Sequence, residues 1–427
     1  MVAGTCGFRV AVVTIPIQNS VNKKKVEGSA SIRWATLWPS TRKIGLEVSL
    51  NSEVSLNSIV ATYRVEGDRA HSAELARAMA VELTVEVPQS LIDRYPRIAS
   101  EIVAEVRQVE ELEAGVQQVT LGLNGDLARS DLNQLLNLVL GNCSMLPSIQ
   151  LTRLVLSDEV LDRFQGPHCG IDGVRELVEV PGRPLVATAL KPRGAPVSDL
   201  VQICREFIRG GGDLIKDDHN LIDDDLDQFR DRVQRCTEAI RQQQGDRHRL
   251  YLVNLLAPSE QLDARMEIAL EAGADGALLA PWVIGLDRVR ELTGRWPGVY
   301  LGHPSMSGAL TGGSGIAGPI VHGTLARLAG LDGSVFVNSG GRFPVTRSDG
   351  RSIAAALRQP LANLKPAWAV PAGGMSPERL PEMIEDFGRD TMMLMGGALL
   401  TAKEGIEACT REIVQQLEDR FETAGEM

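Results

Sequence analysis

From Arg183 onward the chain repeats one hydrophobic pattern: a short apolar run, a polar cluster, then a longer stretch with apolar positions at helical spacing. Short apolar runs of this kind predict parallel strands buried on both faces, and the 3.6-residue spacing predicts amphipathic helices. The strand–helix pairs fall at residues 185–190 and 197–209, 214–215 and 226–243, 250–256 and 261–272, and 276–280 and 286–293. They continue at 299–302 and 320–329, 335–337 and 353–357, 368–370 and 377–387, and 392–395 and 405–421. Eight such units over roughly 240 residues predict a closed (β/α)8 TIM barrel. No GxGxxG opens the first helix, which argues against a dinucleotide-binding doubly wound sheet.

The part before the barrel reads differently. Strands are predicted at 59–65, 83–87 and 148–156, with two more inside 101–122 and helices at 70–81 and 131–140. Mixed strands and helices over about a hundred residues predict a small α+β layer, residues 58–165, with the barrel at 166–427 and a Gly- and Pro-bearing linker at 158–172. Residues 1–57 are an extension assigned no catalytic role. Within it the hexapeptide Glu47 to Ser52 is repeated at once as Glu53 to Ser58, and residues 49–58 alternate enough to add a strand.

Composition narrows the function. The net charge of −11 and a pI near 5.2 oppose a broad nucleic-acid or anionic-membrane surface, so an anionic ligand needs a local basic site. The six cysteines include no CxxC pair, which points to reduced cytoplasm rather than a disulfide framework. No apolar run nears the roughly 20 residues of a membrane span. The apolar stretch 8–17 is followed, not preceded, by Lys23, Lys24 and Lys25, the wrong order for a signal peptide.

In a barrel, the residues just past each strand share one mouth. Here these are Lys191 and Arg193, then Lys216, Asp218 and His219, Asn254, His303 and Ser307, then Asn338, Ser339 and Arg342, with Gly373-Gly374 and Gly396-Gly397 last. Lys216, Asp218 and His219 could converge on one metal ion. A buried Lys216 could take up CO2 as a carbamate and, with Asp218, hold Mg2+, His219 being the softer third ligand; an ion pair of Lys216 with Asp217 or Asp218 is the alternative. Lys191 and Arg193 suit an acidic group or a polarised carbonyl, or form a solvated basic turn. The two glycine pairs occupy the loops where barrels bind phosphate, although tight-turn glycine accounts for them too.

Taken in order, these residues resemble the RuBisCO large-subunit superfamily. The likeness runs from about residue 58 to the C-terminus through Phe164-Gln165-Gly166-Pro167 with Gly170-Ile171, Gly182-Arg183-Pro184-Leu185, Lys191-Pro192-Arg193, residues 211–220, His303, and both glycine pairs. It implies a ferredoxin-like N-terminal domain and a homodimer, the neighbour's Glu82 and Asn142 completing each mouth. It departs from true carboxylases at Arg193, His219, Pro304, Ser307, Asn338 and Ala372, and has no clear loop-six lysine. Carbon fixation and a bisphosphate substrate are therefore not expected.

The resemblance is to a form-IV, RuBisCO-like protein acting on a monophosphorylated ketose or keto acid through a metal-bound enolate. In that setting Lys191 moves a proton or polarises a carbonyl, Arg193 grips a carboxylate, and His303 positions a hydroxyl or shuttles a proton. Gly373, Gly374, Gly396 and Gly397, with Asn338 and Ser339, would hold substrate and phosphate. Arg193 favours decarboxylation or transcarboxylation/hydrolysis of a sugar acid such as 3-oxo-isoapionate 4-phosphate. The alternatives are diketo-methylthiopentyl phosphate enolase, methylthioribulose phosphate isomerase, or, in another class, a non-catalytic scaffold.

Overall fold

The computed structural model describes residues 57–422, which form two sheets, one of four strands and one of eight. Residues 1–56, with Cys6 and all of the tandem repeat except Asn57 and Ser58, lie outside the described residues, as does the strand expected at 49–58 apart from those two positions. In the first sheet, β1 (Ser58–Glu66), β2 (Glu105–Glu113), β3 (Val116–Asn124) and β4 (Ile149–Leu156) run antiparallel in the order β2-β3-β1-β4. Helices Arg69–Glu82 and Leu132–Val139 follow β1 and β3, giving the βαββαβ order of a ferredoxin-like layer. Leu132, Leu135, Leu138 and Val139 are buried, and the Tyr63 hydroxyl donates to the Val139 carbonyl at 2.6 Å, tying sheet to helix.

The strand expected at 83–87 is a turn. The N–H groups of Thr84, Val85 and Glu86 all point back to the Val81 carbonyl. The alternation of Leu83, Val85 and Val87 thus belongs to the chain leaving a helix, with those donors already used.

The second sheet is the barrel. Its strands are β5 (Leu185–Leu190), β6 (Leu214–Asp217), β7 (Leu250–Asn254), β8 (Gly276–Leu279), β9 (Val299–Gly302), β10 (Gly333–Val337), β11 (Trp368–Ala372) and β12 (Met392–Leu394). They pair in parallel, β12 lies beside β5, and an Ala369–Thr391 bridge joins β11 to the start of β12. Alternate residues such as Leu185, Ala187, Leu250, Leu252, Val299, Leu301, Trp368 and Val370 fill the interior. Helix Gly170–Val178, which the sequence pattern leaves unassigned beyond the linker at 158–172, adds Ile171, Val174 and Val178 to that cluster at the end where the strands begin. Among the described residues, no helix is long and apolar enough to cross a membrane.

Two contacts make sharp tests of this packing. At Gly276 (φ +154°) a Cβ would lie 1.9 Å from the Val299 carbonyl oxygen, so the neighbouring strand approaches through the space a side chain would need. Gly276→Ala is expected to cost about 3 kcal/mol or more, read as a lowered denaturant midpoint. The layers are also joined by Asp287 of helix Leu286–Arg295, whose carboxylate accepts from the Leu132 and Asn133 N–H groups at 3.1 and 3.0 Å. Burial pushes the Asp287 carboxyl up, but bonds from those two N–H groups and from Arg290 Nε hold it below the usual range. The contribution is therefore present at neutral pH and lost as pH falls through that depressed value. Asp287→Ala should cost about 1 kcal/mol at pH 7, and the gap from wild type should close in acid denaturation below the carboxylate range.

Candidate active site

The strand pleat sets the site. Successive side chains of β6 alternate, so Lys216 and the following Asp218 share one direction while Asp217 takes the other. Asp217 is fully buried and accepts from Arg232 Nη1 at 2.8 Å, the Tyr251 hydroxyl at 2.9 Å and the Asn254 N–H at 2.9 Å. It belongs to the wall behind the site, not to the mouth.

At the mouth, Lys191 Nζ lies 2.9 Å from Asp218 Oδ2, joining the loops after β5 and β6. His219 Nδ1 is 3.3 Å from Asp218 Oδ1, and its Nε2 is 3.1 Å from Asn220 Nδ2. An amide N–H can only donate, so Nε2 is the acceptor and the ring proton sits on Nδ1, facing Asp218. The His219 and His303 rings stack with centroids 4.0 Å apart and planes 15° from parallel, bringing in the loop after β9. His303 Nδ1 accepts from the Ser305 N–H at 3.2 Å and lies 2.8 Å from Ser305 Oγ, which leaves Nε2 as the protonated nitrogen of a neutral ring. Four of the residues expected to form the site are thus joined pairwise: Lys191 to Asp218, Asp218 to His219, His219 to His303.

Lys216 is 3% exposed, and its Nζ donates to the Asp217 carbonyl at 3.0 Å. Burial lowers its amine to about 8, with Lys191 adding to the effect and Asp218 and Asp217 opposing it. Burial raises the Asp218 carboxyl, but the Asn220 N–H and Lys191 outweigh it and keep it below the ordinary range. Both imidazoles are pushed down, first by burial and then by nearby cations, His303 to about 2. The site therefore presents neutral histidines beside a carboxylate and two amines.

The remaining expected residues are placed as follows. A Cβ on Gly396 would lie 3.5 Å from Lys191 Cε, so the glycine pair after β12 borders the same lysine. Gly373 and Gly374 have φ of +88° and +66°, and a Cβ on Gly374 would meet Gly341 Cα at 2.9 Å. Gly374 also offers its carbonyl to Arg379 Nη1 at 2.8 Å. Sequence reasoning misses Gly340-Gly341 and Arg379. The first pair carries a signal, since it continues directly from Asn338 and Ser339.

Arg193 is exposed and makes no hydrogen bond or ion pair among the described residues. Asn338 is not brought to the open rim: it is 1% exposed, with Nδ2 on the sulfurs of Met375 and Met383 at 3.4 and 3.0 Å. Ser339 is buried as well. Glu82 and Asn142 bond to each other at 3.0 Å beside the antiparallel sheet. Among the described residues no three His, Cys, Asp or Glu side chains form a metal-binding group.

An eight-stranded parallel barrel behind a ferredoxin-like sheet, with its polar cluster at the strand ends, is the architecture of the RuBisCO large chain. The family model for the ribulose bisphosphate carboxylase large chain, catalytic domain, matches residues 170–342. A 5-methylthioribulose-1-phosphate isomerase of Rhodospirillum rubrum is 36% identical, covering 83% of this chain and 94% of that protein. A 2,3-diketo-5-methylthiopentyl-1-phosphate enolase of Bacillus cereus is 28% identical over 81% of this chain and 88% of its own length. The crystal structure of a Rubisco-like protein from Rhodopseudomonas palustris superposes with a TM-score of 0.76 at 32% identity, covering 86% of this chain and 99% of that one. The chain belongs to this family, as a RuBisCO-like protein.

Proposed function

We propose that the chain is an isomerase of 5-methylthioribulose 1-phosphate: a proton leaves the hydroxyl-bearing carbon beside the carbonyl to give an enediol, and a proton returned to the former carbonyl carbon shifts the carbonyl along the chain. The observation that carries this reading is the linked Lys191–Asp218–His219–His303 cluster in a chain that matches 94% of a relative named for that activity. It replaces the sugar-acid reading as the first choice, because both named enzymes among these relatives act on methylthio sugar phosphates. Arg193, cast as the grip for a substrate carboxylate, has no carboxylate to hold on such a ketose.

In this reading Lys191, whose Nζ is held 2.9 Å from Asp218, serves as the acid that returns a proton to carbon or oxygen. Neutral His303 has an Nε2–H to donate to a substrate hydroxyl or carbonyl. Gly373, Gly374, Gly396 and Gly397 leave room for the phosphate to approach backbone N–H groups. A divalent cation such as Mg2+ would be held by Asp218, His219 and Lys216, the last only as a carbamate, since an ammonium has no lone pair to give. The bound cation would supply Lewis-acid polarisation of the carbonyl. Glu82 and Asn142 would serve the mouth of a second copy in a homodimer, and the reduced cytoplasm is the expected setting.

The test is turnover by purified protein with Mg2+ and bicarbonate, followed by NMR. Conversion of 5-methylthioribulose 1-phosphate is expected. Conversion of only 2,3-diketo-5-methylthiopentyl 1-phosphate would assign the enolase reaction, and conversion of only the sugar acid phosphate would restore the decarboxylase. Inertness toward all three would favour the scaffold.

A further inference from the structure

Behind the mouth lies a residue that no step above uses. Asn254 ends β7 and is 3% exposed, yet each of its side-chain polar atoms is engaged. Its Nδ2 donates to two backbone carbonyls of the neighbouring loop, His219 at 3.1 Å and Leu221 at 3.2 Å. Its Oδ1 accepts from the Leu256 N–H at 3.2 Å, and its own N–H donates to Asp217 Oδ2 at 2.9 Å. The far end of the same loop is held independently. Asp223 accepts from Arg232 Nη2 at 2.8 Å and Nε at 3.0 Å, and Arg232 reaches Asp217 and the Tyr251 hydroxyl as well.

A loop that carries two site residues is thus tied at both ends to the barrel wall. The two ties differ. Arg232 joins side chain to side chain, whereas Asn254 reaches the carbonyl of His219 itself and the carbonyl two residues on. Fixing those two carbonyls fixes the peptide planes around His219 and so the direction its ring leaves the backbone. That ring stacks on His303 and faces Asp218, so a small rotation would separate three side chains at once.

We propose that Asn254 is a positioning residue for His219: its amide clamps the loop after β6 so that the imidazole stays between Asp218 and His303. The inference rests on the site reading given under Proposed function. An apolar or acidic side chain of similar size cannot replace Asn254, because it lacks the two amide hydrogens that these carbonyls accept. Outer-shell partners of this kind typically change activity about 10–100-fold when removed.

Asn254→Asp tests this, because it keeps the size and the acceptor for the Leu256 N–H but presents oxygen to both carbonyls. Asn254→Ala removes the same donors and serves if the acidic variant does not fold. Two quantities are read in the intact protein: steady-state kcat and KM for 5-methylthioribulose 1-phosphate, and backbone hydrogen exchange by mass spectrometry without substrate. The expected result is kcat lowered about 10–100-fold with KM near wild type, and faster exchange confined to residues 219–223. Wild-type kcat with unchanged exchange overturns the proposal. So does exchange accelerated equally in β1–β4 and the barrel, which marks a global structural role. Should the wild-type protein fail to turn over this substrate, the substrate reading falls and the exchange pattern alone decides the clamp.

Discussion

Lys191→Met is expected to lower kcat for 5-methylthioribulose 1-phosphate by about 10²–10⁴-fold, the range for removing a positioned general acid or base. Methionine keeps an unbranched apolar stem and deletes the nitrogen that sits 2.9 Å from Asp218 and borders Gly396. The fold should scarcely notice. Lys191 is 41% exposed on its side chain, and a half-exposed ion pair contributes little to stability. The thermal midpoint should therefore stay close to wild type while turnover collapses, a separation that a misfolded variant cannot give. A loss confined to KM would instead make Lys191 a substrate-holding residue. A kcat within a few-fold of wild type would remove it from the chemistry.

Lys191 is legible in the amino-acid sequence for a physical reason. A buried parallel strand is a short, almost purely apolar run, and the first polar residues after it mark the mouth of a barrel. The pattern predicts a strand at 185–190 and a helix at 197–209, and the structure gives Leu185–Leu190 and Val197–Arg209. It fails where direction matters more than position. Asn338 follows β10 as His303 follows β9, yet it turns into the wall against two methionine sulfurs, and nothing in the local sequence distinguishes the two. Asp217 and Asp218 are neighbours with the same side chain. Only the pleat of β6, which the sequence pattern ends two residues early at 215, tells which one faces the mouth. Helix Gly170–Val178 escapes the repeating pattern because its apolar face packs on the barrel's interior end rather than beside a strand of its own.

The second large effect is expected at Lys216, and it separates the two roles the sequence leaves open. A lysine that only pairs with Asp218 would compete with a cation for that carboxylate, so Lys216→Met should leave Mg2+ affinity unchanged or raise it. A lysine that becomes a carbamate supplies an anionic oxygen, so the same change should remove a ligand. The surroundings favour the second role. The amine is almost wholly buried and lowered to about 8, and its placed hydrogen bond is to the Asp217 carbonyl, while Lys191 holds Asp218. Burial of this kind raises the fraction of neutral amine, the form that adds CO2. Calorimetric titration of wild type with Mg2+ should therefore show binding tightened by bicarbonate, and Lys216→Met should abolish that dependence. The variant should also lose affinity by more than the roughly 10–100-fold that an outer-shell partner is worth. Wild-type affinity indifferent to bicarbonate would return Lys216 to the ion-pair role, and equal, negligible affinity in both proteins would favour the scaffold.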